Sequence, residues 1–149
     1  MPDSSPHDKL TQVSAVVLIR GEGADVEILS ARRTEPEALK GGWEFPGGKW
    51  DPAEDGLTAL NREILEELNI DLDVIHHVAG PLDNQAWPMG ETYALHVWIA
   101  RQSSEAPIRL EKQHDDSRWL TLDNAEAVDW LPVDLPPLRA AVEWLRANT

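Results

Sequence analysis

The sequence contains no cysteine among its 149 residues, which excludes disulfide bonds and thiol chemistry. It also has no apolar run close to the roughly 20 residues that a membrane-spanning helix needs, since the longest run near the start is Ala15–Ile19. The first ten residues, MPDSSPHDKL, are polar and lack the hydrophobic segment of a secretory signal. We therefore predict a loose tail over residues 1–10, one domain over residues 11–149, a cytoplasmic location and no membrane partner.

Basic residues are scarce, with 13 Lys and Arg against 27 Asp and Glu and a net charge of −14. No basic run is longer than Arg32–Arg33. A protein that binds a DNA or RNA polymer needs a basic surface to displace the counterions of the phosphates, so we expect no nucleic-acid polymer as partner. A small anionic substrate is compatible with this charge, provided that bound cations bridge it to the carboxylates.

The apolar pattern predicts a mixed sheet with two main helices. Predicted strands cover residues 13–19, 26–31, 72–78, 92–100 and 119–122, and predicted helices cover residues 57–68 and 138–147. The first two strands form a hairpin around a turn cluster at residues 20–25, residues 34–42 and 80–90 are loops, and residues 123–127 form one helical turn. The fold class is therefore α/β or α+β, a layered sandwich.

The helix over residues 57–68 carries the strongest pattern in the sequence. Its large apolar residues recur at helical spacing and predict a buried stripe of Leu57, Leu60, Ile64, Leu65 and Leu68. Asn69 follows the helix and fits a left-handed C-terminal cap, a position that glycine usually fills.

Three carboxylates, Glu63, Glu66 and Glu67, crowd one side of this helix. Neighbours at such spacing repel each other by roughly 0.2–0.5 kcal/mol per pair. They fit either a Mg²⁺ site, which takes one or two carboxylates plus waters and substrate phosphates, or a solvated acidic face. The nearby Gly47-Gly48 matches neither a P-loop nor a dinucleotide-binding fingerprint and also fits an ordinary turn, so the spacing alone leaves both interpretations open.

Taken together, these residues form one longer pattern. It runs Gly48, five residues, Glu54, seven residues, Arg62-Glu63-Ile64, one residue, Glu66-Glu67, one residue, Asn69-Ile70. The pattern resembles the Nudix box, a 23-residue arrangement of a glycine, a glutamate and an R-E-aliphatic-x-E-E segment. One position departs from the family, because Asn69 stands where the family has glycine, and Asn tolerates the same left-handed backbone.

The flanking segments are similar to MutT-type nucleoside triphosphate pyrophosphohydrolases and their cytidine-nucleotide relatives. WEFPGGK at residues 43–49 resembles the stretch before their box, and residues 118–134 resemble their closing segment. The resemblance extends over residues 13–146 and implies the Nudix α/β/α sandwich, with a mixed sheet between helices.

The resemblance also implies roles for individual residues. It makes Glu63, Glu66 and Glu67 ligands of Mg²⁺ or Mn²⁺, together with the carbonyl oxygen of Gly48. The alternative role for one of these glutamates is to orient or deprotonate the attacking water. Arg62 would steady the glutamates as part of the catalytic set, and Glu54 would support the loop. Lys49 and Arg33 would contact substrate phosphates.

A second departure concerns a later metal-binding residue. Many relatives carry Glu-His shortly before the late tryptophan, whereas this sequence has Gln113-His114 before Trp119. A glutamine can coordinate through its carbonyl but adds no charge. Gln113, Glu111 and Asp115 are therefore alternative candidates for that position.

Candidates for recognition of the base are the aromatic or polar residues near the expected pocket: Trp43, Glu44, Trp87, Tyr93 and Trp130. Aromatic side chains can stack on any base. Asp134 aligns with the position that contacts the base edge in MutT-type relatives. An ionised Asp accepts hydrogen bonds and suits the 4-amino group of cytosine. We therefore favour CTP or dCTP over 8-oxo-dGTP, and we expect the loop over residues 80–90 to gate the substrate.

Other functions compete with this interpretation. The substrate could be ADP-ribose, a nucleotide sugar or another nucleoside diphosphate linked to a second group. A non-catalytic nucleotide-sensing module would have a broken box and a second domain, and an acidic interaction domain would show no metal dependence. The sequence does not determine the oligomeric state, and a homodimer remains among the options.

Overall fold

The computed structural model describes residues 10–110 and 114–148. Within that part of the chain the strands are β1 (Thr11–Arg20), β2 (Glu27–Arg33), β3 (Trp43–Glu44), β4 (Gly47–Lys49), β5 (Leu72–Val78), β6 (Trp87–Met89), β7 (Tyr93–Gln102) and β8 (His114–Thr121). The α-helices are α1 (Gly56–Leu68) and α2 (Leu135–Ala147). Single 3-10 turns lie at Gly23–Asp25, Glu37–Leu39 and Pro132–Asp134.

All of these strands join one mixed sheet. Its central order is β3-β2-β1-β7-β5, with β4 paired to β1, β6 paired to β7 and β8 paired to β2. The long β1 and β7 run parallel over nine residue pairs from Thr11↔Tyr93 to Ile19↔Arg101, and the other pairings are antiparallel. The predicted mixed sheet and the predicted β1–β2 hairpin are confirmed.

The alternation of side chains along β1 divides the core into two layers. Val17 and Ile19 face the cluster that contains Leu138 and Leu145 of α2. Val16 and Leu18 face the opposite cluster, which contains the apolar side of α1. Helices therefore cover both faces of the sheet, and the α/β/α sandwich is confirmed.

The helix α1 begins and ends as its sequence indicates. Asp55 is the N-cap, and its side chain accepts a hydrogen bond from the backbone N–H of Thr58 at 2.8 Å. Asn69 adopts the left-handed conformation, with φ 58° and ψ 39°, so the predicted cap is confirmed. The predicted buried stripe is wrong in part, because Leu57 is 42% and Leu65 49% exposed. Leu65 lies about 100° around the helix from the buried Ile64 and so faces away from the sheet.

Four further features differ from prediction. The predicted loop over residues 80–90 contains β6, in which Pro88 is tolerated because β6 pairs on one side only, with β7. The predicted short strand at residues 119–122 is the end of the longer β8, and residues 123–127 form turns instead of a helical turn. The helix α2 starts at Leu135, so Pro136 and Pro137 lie in its first turn, where no backbone N–H donor is needed. Across residues 10–110 and 114–148, no helix is long and apolar enough to span a membrane.

Candidate active site

A cleft of about 520 Å³ opens beside β4. It brings together residues from β1, β2, β4, α1 and the turn before α2. Its polar lining comprises Ser14, Arg33, Glu44, Lys49, Glu63, Glu67 and Asp134, with the backbone of Gly47 and Gly48 between them. Most of the site residues predicted from the sequence therefore meet in this one cleft, whereas Arg62 and Glu66 do not line it.

The close approach of β4 to α1 depends on two glycines. β4 pairs with β1, with Gly48 opposite Ser14 and Gly47 opposite Ala15. A Cβ atom at Gly47 would overlap the backbone of Ser14, and a Cβ atom at Gly48 would overlap the carboxylate of Glu63. The absence of side chains here lets the carboxylates of α1 lie directly over the strand.

Glu67 is the most buried carboxylate of the helix, with 7% of its surface exposed. Its Oε2 accepts a hydrogen bond from the backbone N–H of Gly47 at 3.2 Å. Burial, together with the charges of Glu63 and Glu44, raises the pKa of Glu67 to about 8. A cation bound beside Glu67 would stabilise the ionised carboxylate and lower its pKa.

Arg62 holds the other acidic groups of this region. It forms ion pairs with Glu54 at 2.8 Å, Glu63 at 2.9 Å and Glu66 at 3.5 Å, and its Nη2 donates to the carbonyl oxygen of Lys49 at 3.0 Å. The hydrogen bonds from Arg62 lower the pKa of Glu54 to about 2. Glu66 is turned toward Arg62 and keeps 46% of its side chain exposed.

The oxygen-rich wall of the cleft fits a hard divalent cation. Glu63, Glu67 and Gly48 line the same wall, and Mg²⁺ commonly takes one or two carboxylates and leaves its other positions to water and phosphate. Within the described ranges, no three carboxylate or imidazole side chains already converge on one metal position. Arg62 forms ion pairs with Glu63 and Glu66, two of the three helix carboxylates.

The cleft also contains a buried ion pair between Arg33 and Glu44. Nη1 of Arg33 lies 3.0 Å from Oε1 and 3.2 Å from Oε2 of Glu44, and Nε2 of His114 lies 2.9 Å from Oε2 of the same carboxylate. Both Glu44 and His114 are buried. His114 was not predicted as a site residue, although its place beside the Gln113 position was a signal that could have found it.

Asp134 is the least satisfied polar group of the cleft. It is 3% exposed, and its Oδ2 has no hydrogen-bond partner among the described residues. Burial, together with the charge of Glu44, raises the pKa of Asp134 well above its ordinary value. Because a buried polar atom without a partner is costly and Asp134 lines the cleft, a ligand group that reached Oδ2 would supply the missing hydrogen bond.

The aromatic residues are distributed differently from the prediction. Tyr93 lines the cleft, as does Phe45, which was not predicted. Trp43, Trp87 and Trp130 do not line it, so Tyr93 is the aromatic candidate that the structure brings into this cleft. Trp130 instead supports Phe45 from behind at a ring distance of 4.8 Å.

The candidates for the later metal-binding position can be followed only in part. Glu111 and Gln113 lie outside the described residues. Asp115 does not line the cleft, and its Oδ1 accepts a hydrogen bond from Nε of Arg32 at 2.8 Å. Its carboxylate is therefore engaged with Arg32, outside the cleft lining.

Comparison with known proteins points to one family. The NUDIX domain model matches residues 9–144. The chain is 32% identical over 132 residues to a CTP pyrophosphohydrolase of Escherichia coli (strain K12), which covers 89% of this chain and 91% of that relative. It is 30% identical over 125 residues to a putative 8-oxo-dGTP diphosphatase 2 of Mycobacterium tuberculosis, covering 82% and 81% of the two chains.

The solved structures agree on the fold. A C. elegans Ap4A hydrolase in a binary complex superposes with a TM-score of 0.72 over 93% of this chain and 99% of that chain, at 21% identity. The family model spans most of the chain, and both relatives match along most of their own length. The protein therefore belongs to the Nudix family and is a hydrolase of the phosphoanhydride bonds of nucleotides.

Proposed function

We propose that the protein hydrolyses a nucleoside triphosphate to the nucleoside monophosphate and pyrophosphate with Mg²⁺ as cofactor, and that a cytidine nucleotide is its preferred substrate. The observation that carries the proposal is the pairing of two unlike groups in one cleft. Asp134, whose Oδ2 has no hydrogen-bond partner among the described residues, lines the cleft, and so do the carboxylates of Glu63 and Glu67. The first suits the edge of a base, and the second suits the handling of phosphates.

The phosphate side needs cations, because a triphosphate would be repelled by Glu63 and Glu67. Lys49 and Arg33 line the same cleft. Lys49 supplies a positive charge, whereas the charge of Arg33 is balanced by its ion pair with Glu44. Bound Mg²⁺, held by Glu63, Glu67 and the carbonyl of Gly48, would neutralise phosphate charge, polarise the phosphoryl oxygens and lower the pKa of water. Mn²⁺ has the same preference for oxygen ligands and is an alternative cofactor.

In the reaction, the oxygen of a water molecule bonds to a phosphorus of the α–β anhydride while the bond from that phosphorus to the bridging oxygen breaks. The water proton passes to a carboxylate of α1. Glu67 is oriented by the N–H of Gly47, and Glu63 by Arg62. These two are the candidates for the proton acceptor, because Glu66 faces Arg62 outside the cleft.

On the base side, the surroundings of Asp134 favour a different protonation state from the one expected from the sequence. An ionised carboxylate was expected, whereas burial and the charge of Glu44 favour the neutral acid. A neutral carboxyl group donates one hydrogen bond and accepts another. The cytosine edge matches it, since N3 accepts and the 4-amino group donates.

The guanine edge, with O6 and N1–H, also offers one acceptor and one donor. The relationship to the CTP pyrophosphohydrolase supports cytosine, and the relationship to the putative 8-oxo-dGTP diphosphatase supports the oxidised purine. We rank cytosine first because the first relative is the more similar over a larger share of the chain.

A hydrolysis panel tests the proposal. CTP, dCTP, 5-methyl-dCTP, dGTP, 8-oxo-dGTP and ADP-ribose are incubated with Mg²⁺, and the products are separated, with Glu67→Gln as the control for contaminating enzymes. We expect cytidine triphosphates to give monophosphate and pyrophosphate at the highest kcat/KM. Preferential cleavage of 8-oxo-dGTP would overturn the base assignment, and cleavage of ADP-ribose alone would overturn the triphosphate assignment.

A further inference from the structure

A hydrogen-bonded chain joins β1 to both ends of the loop between β4 and α1. Nε1 of Trp50 donates to Oγ of Ser14 at 2.8 Å, and the Ser14 hydroxyl donates to the carbonyl oxygen of Gly56 at 2.8 Å. We call this the Trp50–Ser14–Gly56 connection. None of the roles assigned above uses it.

The connection joins both ends of one loop to one strand. Trp50 directly follows β4, and Gly56 is the first residue of α1, so the two residues bracket the loop between the glycine strand and the carboxylate helix. Ser14 belongs to β1 and lies opposite Gly48 in the β1–β4 register. A single buried hydroxyl therefore fixes where β4 ends and where α1 begins, relative to the residue that pairs with Gly48.

The surroundings of Trp50 hold it in one position. Its backbone N–H donates to the carbonyl oxygen of Gln12 at 3.0 Å, and the ring of His96 packs against its indole at 4.8 Å. Oε1 of Gln12 in turn lies 2.6 Å from Nε2 of His96. Close packing continues to Gly56, where an added Cβ would come within 3.1 Å of the Trp50 ring.

The position of this loop determines where the carboxylates of α1 lie. The carboxylate of Glu63 lies so close to Gly48 that a side chain at position 48 would overlap it. Glu67 accepts a hydrogen bond from the backbone N–H of Gly47. Both contacts require α1 to start at a fixed height above β4. The helix is a rigid element, so a shift of its first residue moves both carboxylates together.

We propose that Trp50 and Ser14 are positioning residues that set the separation of Gly48 from Glu63 and Glu67, and thereby set the affinity of the site for a divalent cation. The inference rests on the proposed metal-dependent function and adds two residues that act through the placement of the metal ligands. Loss of partners that orient metal ligands commonly weakens metal binding by roughly 10–100-fold.

The chain provides matched controls for both residues. Trp87 Nε1 donates to the carbonyl oxygen of Val78 at 2.9 Å, and Ser30, which is fully buried like Ser14, donates to the carbonyl oxygen of Arg118 at 2.9 Å. Neither bond involves β4 or α1. Trp87→Phe and Ser30→Ala therefore remove the same kinds of hydrogen bond as Trp50→Phe and Ser14→Ala at other places in the sheet.

The experiment measures binding of Mn²⁺ to the purified protein by electron paramagnetic resonance, without nucleotide, alongside thermal unfolding of each variant. We expect Trp50→Phe and Ser14→Ala to raise the Kd for Mn²⁺ by roughly tenfold, and the two controls to leave it within about twofold at a similar loss of Tm. Because both residues act through one connection, the double variant should bind no more weakly than the weaker single variant.

The outcomes separate the two levels of the argument. If the wild-type protein binds Mn²⁺ and Glu63→Gln abolishes that binding, while Trp50→Phe and Ser14→Ala bind as tightly as the wild type, the positioning role is overturned and the proposed function stands. An equal loss in all four variants would also overturn it, because a general loss of stability would then explain the change. If the wild type binds no Mn²⁺, the proposed metal site fails and the positioning role falls with it.

Discussion

The carboxylate of Glu63 occupies the space that a side chain at Gly48 would need. Gly48→Ala should therefore displace Glu63 while leaving the sheet intact, since β4 contributes only three residues to it. We expect kcat/KM to fall by about 100-fold or more, in line with the sensitivity of catalysis to a displacement of about 1 Å. Steady-state kinetics with circular dichroism as the check on folding measures this, and full activity of the variant would contradict the packing described.

Glu66 and Glu67 are adjacent in sequence and differ in environment. Glu67 is buried in the cleft, whereas Glu66 is turned toward Arg62. We expect Glu67→Gln to lower kcat by about 1,000-fold and Glu66→Gln by about tenfold, because groups that stabilise charge in a reaction have effects of the larger order. The two variants are matched in chemistry, and equal losses of kcat would argue against a distinct position for Glu67.

Asp134 can be tested by separating shape from hydrogen bonding. Asp134→Ala removes both the donor and the acceptor, and we expect the KM for CTP to rise by about 10–100-fold, the size of a lost bidentate contact to a base. Asp134→Asn keeps one donor and one acceptor and should retain more of the affinity. A set of KM values for CTP and dGTP checks both expectations.

The control for this series is kcat with each nucleotide, which should change less than KM because Glu63, Glu67 and Lys49 are untouched. If Asp134→Ala lowered kcat and left KM unchanged, Asp134 would act in the chemistry and not in base recognition.

His96 predicts a dependence of stability on pH. Burial, together with the charge of His77, lowers its pKa to about 4. Between about pH 6.5 and pH 4 the unfolded chain binds a proton that the folded chain does not, so the free energy of unfolding contributed by this group falls as the pH falls. After allowance for solvent screening, we expect a loss of about 2 kcal/mol between pH 7 and pH 4.5.

Urea unfolding of the wild type and of His96→Gln at both pH values isolates this contribution from that of the carboxylates. The variant should lose less stability on acidification than the wild type does. Identical pH dependence in the two proteins would show that His96 is not buried as a neutral ring.

Prediction from the sequence succeeded where the determining contacts are local. The cap at Asn69, the β1–β2 hairpin and the grouping of Glu63 with Glu67 all follow from spacing within one or two elements. It failed where a residue's surroundings come from distant parts of the chain. Trp87 and Trp130 looked like stacking residues, yet the sheet and the segment before α2 direct them elsewhere.

The base side of the cleft shows the same limit more sharply. Glu44 meets a partner 11 residues earlier in Arg33 and another 70 residues later in His114. No local pattern connects these three positions, and the burial that favours the neutral form of Asp134 exists only once the chain has folded. Ser14 is similar, since its spacing gives no hint that its hydroxyl joins Trp50 to Gly56.

The ion pairs of Arg62 bear on how the protein responds to a loss of metal. Arg62 forms ion pairs with Glu54, Glu63 and Glu66, and these protein contacts offset the repulsion among the carboxylates, so we expect the acidic helix to keep its shape when the proposed cation leaves. Chelation would then switch off turnover without exposing the core to proteases. When divalent cations are scarce, the protein would stay folded but inactive, and it would regain activity when the ion binds again.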